Sequence, residues 1–231
     1  MLELFPEGCA EQRCGAETEL VAFTDEAGVE RFRSKFREVR VRRVPDGWEE
    51  EWRRFHRPVE VGSLWIGPPW ETPTPNLLTV VIDPGRAFGT GAHPTTRLCI
   101  ELLQAFEPRS FLDVGCGSGV LAIAACRLGY SPVAAIDLDE AAVEATRRNA
   151  AANGVSLDAS RFDVGSAALP EGEIAVANID LKTIAQLKPS ARCRLLVTSG
   201  YYASDHPAVG GFQHVDRRTK EEWAADVFRR E

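Results

Sequence analysis

Residues 111–139, FLDVGCGSGVLAIAACRLGYSPVAAIDLD, carry the reading that decides the fold of this chain. Phe111–Val114 is a short apolar run broken by one acid, Asp113, and it leads directly into Gly115, Gly117 and Gly119. Leu121–Leu128 is apolar nearly all round, the pattern of a buried helix, and Gly129 is a natural stop. Val133–Ile136 forms a second strand that ends in Asp137. A glycine turn at the carboxyl end of a strand lets backbone approach a ligand closely. It also leaves helix N–H groups free to receive polar or anionic atoms.

Spacing selects the ligand. A dinucleotide turn, G-x-G-x-x-G, needs glycine where Val120 stands. The acid followed by G-x-G-x-G instead resembles the first motif of class I S-adenosylmethionine-dependent methyltransferases. Asp137 then suits the second-strand acid that holds ribose hydroxyls. Asp113, Gly115, Gly117, Gly119 and Asp137 are therefore candidate cofactor residues, with S-adenosylmethionine as the expected cofactor.

Alternation continues on both sides of this unit. Asp139 caps a helix over Glu140–Asn153, with Ala142, Val143, Thr146 and Ala150 on one stripe, and Asn153-Gly154 closes it. Strands are expected at Leu157–Phe162, Ile174–Ala177 and Arg194–Thr198, with a short helix at Leu181–Leu187 and a closing hairpin from Phe212–Arg217 and Trp223–Phe228. Elements of these lengths in this order imply an α/β fold, a doubly wound and mostly parallel sheet. Upstream, Glu19–Phe23, Glu26–Phe36 and Val39–Val44 read as a small βαβ fragment. Trp48–His56 has helical spacing, Val59–Ile66 alternates as one strand, and Leu77–Ile82 is another. The expected division is a small N-terminal α+β substrate-docking region with linker helix, residues 1–70, and a methyltransferase domain, residues 71–231. Between them lies the proline-rich PWETPTP.

The 231 residues are 44% hydrophobic, enough for a substantial core, and carry a net charge of −7. No window reaches the roughly 20 apolar residues of a membrane span. The start, MLELFPEGCAEQRCG, has neither the basic opening nor the apolar run of a signal peptide, so a cytoplasmic location is expected. Six cysteines without a C-x-x-C pair and four histidines without H-E-x-x-H point away from a metal site. The acidic balance disfavours broad nucleic-acid binding. Between Arg31 and Arg57, however, ten Lys or Arg residues face five acids, a solvated face or a contact with ribosomal RNA.

One loop is more specific than the glycine turn. Residues 83–96, DPGRAFGTGAHPTT, place two glycines around Thr90 after Phe88, and Thr95 or Thr96 could cap the helix expected over Arg97–Phe106. With RAFGTGAHPTTRLCIELL followed by LDVGCGSGVLAIAA, IDLD and VANI, the sequence resembles the PrmA family, whose members methylate amino groups of large-subunit ribosomal protein eleven. The resemblance is strongest from Trp48 to Ile179. It implies cofactor contacts at Thr96, Gly115, Asp137 and Asn178. It also implies that Phe88, Gly89, Thr90, Gly91 and His93 lie over the methyl group and acceptor channel. Asn178 at the end of a strand fits the rule that ligands gather there.

Two features depart from the family pattern. VANIDLKTIAQL puts Asp180 and Lys182 where the family runs VANI-L-A-x-x-L, and the N-terminal part is a fragment where the family has a fuller docking domain. The acceptor-side candidates are thus Phe88, Thr90, His93 and Asp180, the last two as proton acceptors, with proton loss to water and backbone acceptors as the alternative. The expected activity is transfer of methyl groups to lysine or N-terminal amino groups of a ribosomal protein. The alternatives are another protein, RNA or small-molecule acceptor, or a catalytically silent S-adenosylmethionine-binding scaffold.

Overall fold

The computed structural model describes residues 10–14, 17–21, 24, 26–41, 56–83 and 91–231. The chain forms two compact units, Met1–Arg53 and Arg54–Glu231.

In the first unit, β1 (Ala10–Cys14) and β2 (Glu17–Val21) pair antiparallel, and α1 (Glu26–Arg33) follows. Phe32 is buried on α1 and its ring meets Phe36 edge to face at 6.5 Å. The order is strand, strand, helix rather than the expected βαβ, because an upstream strand pairs with β2. Residues 39–41 are not strand. Residues 42–44, and residues 48–55 of the helix expected over Trp48–His56, lie outside the described residues; His56 is not helical.

The second unit opens with a three-stranded sheet: β3 (Val59–Val61), β4 (Leu64–Gly67) and β5 (Leu78–Val81). The single alternating strand expected over Val59–Ile66 is broken into a hairpin at Gly62, where φ is +58°. Gln104 fixes that turn from a distance. Its Oε1 accepts from Ser63 N at 2.7 Å and its Nε2 donates to Val61 O at 3.0 Å. The boundary expected near residues 70–77 falls between two strands of this one sheet, and the compact units divide at Arg53/Arg54 instead.

The main sheet has seven strands. Those after β5 are β6 (Phe111–Val114), β7 (Val133–Asp137), β8 (Asp158–Arg161), β9 (Ile174–Asn178), β10 (Leu195–Tyr202), β11 (Phe212–Lys220) and β12 (Trp223–Arg230). They lie in the order β11-β12-β10-β9-β6-β7-β8. β8, β7, β6, β9 and β10 run parallel, and the β11–β12 hairpin closes one edge antiparallel, as the sequence predicted. Chain order moves outward from β6 to β7 and β8, then returns to the other side of β6 at β9. Such a reversal opens a crevice at the carboxyl ends of the strands.

Helices α2 (Pro94–Leu103), α3 (Val120–Arg127) and α4 (Glu140–Ala152) pack Leu98, Leu102, Ile123 and Val143 against one face of the sheet. The opposite face is covered by the one-turn α5 (Leu181–Ile184) and by Leu169, Leu187, Val209 and Phe212. Phe111–Val114 is buried at every position, as a central parallel strand must be. The helix N-cap is His93, not Thr95 or Thr96. Pro94 fits the first helical position, and both threonines are buried inside the helix.

Candidate active site

The glycine turn is stitched to the neighbouring strand. Gly115 N and Cys116 N both donate to Ile136 O, at 2.8 and 3.0 Å. Gly117 N donates to Asp137 Oδ2 at 3.0 Å. Two of the glycines are required sterically. At Gly115 φ is +75°, and a Cβ would stand 2.3 Å from Ile179 Cγ2. At Gly119, the N-cap of α3, φ is +83°, and a Cβ would meet Thr146 at 2.9 Å on Cγ2 and 3.1 Å on Cα. Gly119 thus serves the close packing of α3 on α4, and Thr146 Oγ1 returns a hydrogen bond to Gly117 O at 3.1 Å.

A cavity of about 440 Å³ opens over the carboxyl ends of β6, β7 and β9, within the range of small-molecule sites. Thr96, Gly115, Gly117, Asp137 and Asn178 all stand on its wall. Asn178 Nδ2 donates to Thr96 Oγ1 at 3.3 Å, joining two residues 82 positions apart. Asp137 Oδ1 accepts from Asp139 N at 3.0 Å, so each carboxylate oxygen carries one backbone hydrogen bond. A carboxylate has about four acceptor sites, which leaves capacity for the two hydroxyls of a ribose. Leu138, Phe162 and Val164 add an apolar side suited to a base. The residues present therefore fit S-adenosylmethionine. Phe162 and Val164 were not singled out in the sequence, although their place just past β8 was the available signal.

Asp113 and Gly119 stand apart from the wall. Asp113 is 1% exposed and Oδ2 accepts from Ala122 N at 3.0 Å, while Oδ1 has no hydrogen-bond partner among the described residues. Burial pushes its carboxyl up to about 7, against the Ala122 bond, and the charge of Asp137 adds to the rise. Asp113 therefore faces the N-terminal turn of α3 rather than the cavity. Burial likewise pushes the Cys116 thiol up to about 12, with Asp113 contributing. A thiol that stays protonated is a packing group.

The acceptor-side candidates part company. Asp180 lines the cavity but is the N-cap of α5, accepting from Thr183 N at 3.0 Å and Thr183 Oγ1 at 2.5 Å. The Thr183 hydroxyl, with backbone amides behind it, holds this carboxyl below its ordinary value. A carboxylate so stabilised is a poor proton acceptor. His93 is committed to Thr95, with Nδ1 2.7 Å from Thr95 Oγ1, and its ring meets Trp223 edge to face at 4.7 Å. Burial lowers its pKa and the charge of Glu221 opposes that, so the ring is neutral at neutral pH. Phe88, Gly89 and Thr90 lie outside the described residues. Gly91 is described, with φ +87° and Ile66 Cγ2 2.6 Å from where a Cβ would be.

Residues 13–231 match the sequence profile of the family described as ribosomal protein L11 methyltransferase (PrmA). The chain belongs to the PrmA family. A ribosomal protein L11 methyltransferase of Marinomonas sp. (strain MWYL1) is 38% identical over 200 residues, 78% of this chain and 66% of that protein. One from Vibrio campbellii (strain ATCC BAA-1116) is 46% identical over 149 residues, 62% of this chain and 50% of that protein. The chain thus spans about half to two-thirds of the length of the curated relatives it matches. The crystal structure of a ribosomal protein L11 methylase from Lactobacillus delbrueckii subsp. bulgaricus superposes with a TM-score of 0.65 at 27% identity. It covers 76% of this chain and 100% of that one. The fold is that of the class I methyltransferases, as the alternation of strands and helices and the acid before G-x-G-x-G implied. Within this PrmA-family chain, the four cofactor contacts implied by resemblance, Thr96, Gly115, Asp137 and Asn178, share one cavity wall.

Proposed function

We propose that the chain is a cytoplasmic S-adenosylmethionine-dependent protein N-methyltransferase acting on lysine or N-terminal amino groups of ribosomal protein L11. The observation that carries the reading is the convergence of Thr96, Gly115, Gly117, Asp137 and Asn178 at the carboxyl ends of β6, β7 and β9. Family membership and the L11 methyltransferase names of its relatives support the choice of acceptor.

When bound, S-adenosylmethionine supplies an electrophilic methyl carbon. The chain's own work is positioning and exclusion of water. Asp137 holds the ribose, the Gly115–Gly117 backbone lets the cofactor lie close, and Leu138 and Phe162 shield the base. Thr96 and Asn178 form one polar pair beside them. A protonated amine cannot attack, and a lysine with pKa near ~10.4 must first lose a proton. Asp180 is spent on its cap and the His93 Nδ1 lone pair on Thr95 N, so the proton passes to water.

The N-terminal unit is proposed to dock the substrate protein beside ribosomal RNA. Among its described residues, Arg33 and Arg40 are paired with Glu30 and Glu38, while the exposed Arg31, Lys35 and Arg37 add positive charge. Incubating the full chain with methyl-labelled cofactor and isolated ribosomal protein L11, then locating the label by mass spectrometry, tests the assignment. Label on L11 amino groups is expected, and label confined to RNA or small molecules would replace it. Removing residues 1–45 should spare cofactor binding and reduce methylation of the intact protein far more than that of a short lysine peptide. Equal methylation of both acceptors would remove the docking role.

A further inference from the structure

Among the described residues β5 is the outer strand of its sheet, with β4 on one side and no strand on the other. Such an edge leaves a row of backbone N–H and C=O groups to be paired. Side chains from α3 and from the end of α4 take them in sequence. Arg127 Nε donates to Thr79 O at 2.9 Å. Asn153 Oδ1 accepts from Val81 N at 2.8 Å, and its Nδ2 donates to Val81 O at 2.6 Å. Asn149 repeats the arrangement on Asp83, accepting from its N at 3.1 Å and donating to its O at 3.5 Å.

The register is geometric. Asn149 and Asn153 are four residues apart and share one helix face, while Val81 and Asp83 are two apart and share one strand edge. A primary amide donates and accepts as a peptide does, so the two side chains substitute for a neighbouring strand. Asn153 returns its remaining bond to its own helix, at Asn149 O. Asn149, 4% exposed, instead donates to Ser118 O at 2.9 Å, inside the glycine turn. One buried amide thus bonds both the turn that follows β6 and the residue from which the chain runs on toward Phe88 and Thr90.

We propose that Asn149 is a positioning residue for methyl transfer, holding Asp83 in register with the glycine turn so that fixing the turn fixes the chain entering the acceptor loop. The inference rests on the proposed function, because it assigns the turn to cofactor. Both N–H groups of the amide are used, one on each partner, and its oxygen is used as well. Asparagine alone meets that demand at this length: aspartate lacks the donors and leucine lacks all three groups.

Asn153 supplies the control, since it holds the same strand without touching the turn. Backbone amide exchange at Val81 and Asp83 is followed in the full chain, with and without saturating S-adenosylhomocysteine. In the wild type the ligand should slow Asp83 exchange at least fivefold. Asn153→Ala should retain that response, and Asn149→Ala should reduce it below twofold. On L11, Asn149→Ala should lower kcat at least tenfold with the cofactor KM changed less than threefold, and Asn153→Ala should change kcat less than threefold. If Asn149→Ala does not fold, Asn149→Ser takes its place and is held to the same limits. Asp83 exchange that ignores bound ligand in the wild type would overturn the inference, as would equal loss of response in both variants. Failure of the wild type to bind S-adenosylhomocysteine would instead overturn the cofactor reading, and this inference with it.

Discussion

Asp137 Oδ2 accepts the Gly117 amide at 3.0 Å, so the acid that ends β7 also fixes the turn that follows β6. Asp137→Ala therefore removes a ribose acceptor and an anchor of the turn together, without opening the core. Hydrogen bonds to a charged group contribute roughly 1.5–3 kcal/mol each. Affinity for S-adenosylmethionine should fall at least tenfold by calorimetric titration, while the unfolding midpoint moves little. An unchanged dissociation constant would remove the ribose role.

The turn is expected to tolerate chemistry but not bulk. Gly117→Val and Gly115→Ala should both abolish cofactor binding; at Gly115 a side chain must overlap Ile179 and adopt a left-handed backbone costing roughly 1–2 kcal/mol. Cys116→Ser should bind cofactor within a few-fold of wild type, since the thiol stays protonated and its hydrogen bond with the Thr146 hydroxyl, at 3.2 Å, is one that a serine hydroxyl can also make. Normal binding by Gly117→Val would mean that the turn had been misread.

Asp113 should leave a mark on the pH dependence of stability. Its folded pKa, about 7, lies above the ordinary 3.8, so between those values the folded state binds more protons than the unfolded one. Stability from this group is then greatest below about pH 4, falls as pH rises toward 7 and is level above. At 1.36 kcal/mol per tenfold change in proton affinity, the full span is on the order of 4 kcal/mol. Urea midpoints measured at pH 5 and 7.5 should drop more in the wild type than in Asp113→Asn. Parallel profiles would show that the carboxyl is ionised throughout.

Asp180→Asn distinguishes a cap from a catalytic base. Asparagine caps nearly as well as aspartate, so stability should change by less than about 1 kcal/mol. With the carboxyl already held below its ordinary value, no proton transfer at neutral pH should depend on it. The rate of L11 methylation is expected to stay within threefold, with an unaltered pH profile. A hundredfold loss would return Asp180 to the chemistry.

Local physics made the centre of the fold legible. Positive φ at Gly115 and Gly119, a nearly all-apolar helix and acids at two strand ends are properties of neighbouring residues, and the sequence by itself determined strand β6, the turn, α3, β7 and the place of Asp137. The mostly parallel sheet and its closing hairpin followed from the lengths and sequence of elements. Other features depended on residues brought together from far along the chain. Gln104 breaks Val59–Ile66 into a hairpin across 41 positions, β1 turns the N-terminal fragment into a strand pair, and Pro94 moves the helix cap to His93. Burial decided that Asp113 faces α3 rather than the cavity, and the Thr183 hydroxyl committed Asp180 to a cap. Asn149 had no local signal at all, since an asparagine on a helix reads as solvent-facing until Asp83 and Ser118, 66 and 31 positions away, are folded against it. Hydrogen-bond partners across such distances are set by how the sheets close, which periodicity and propensity do not encode.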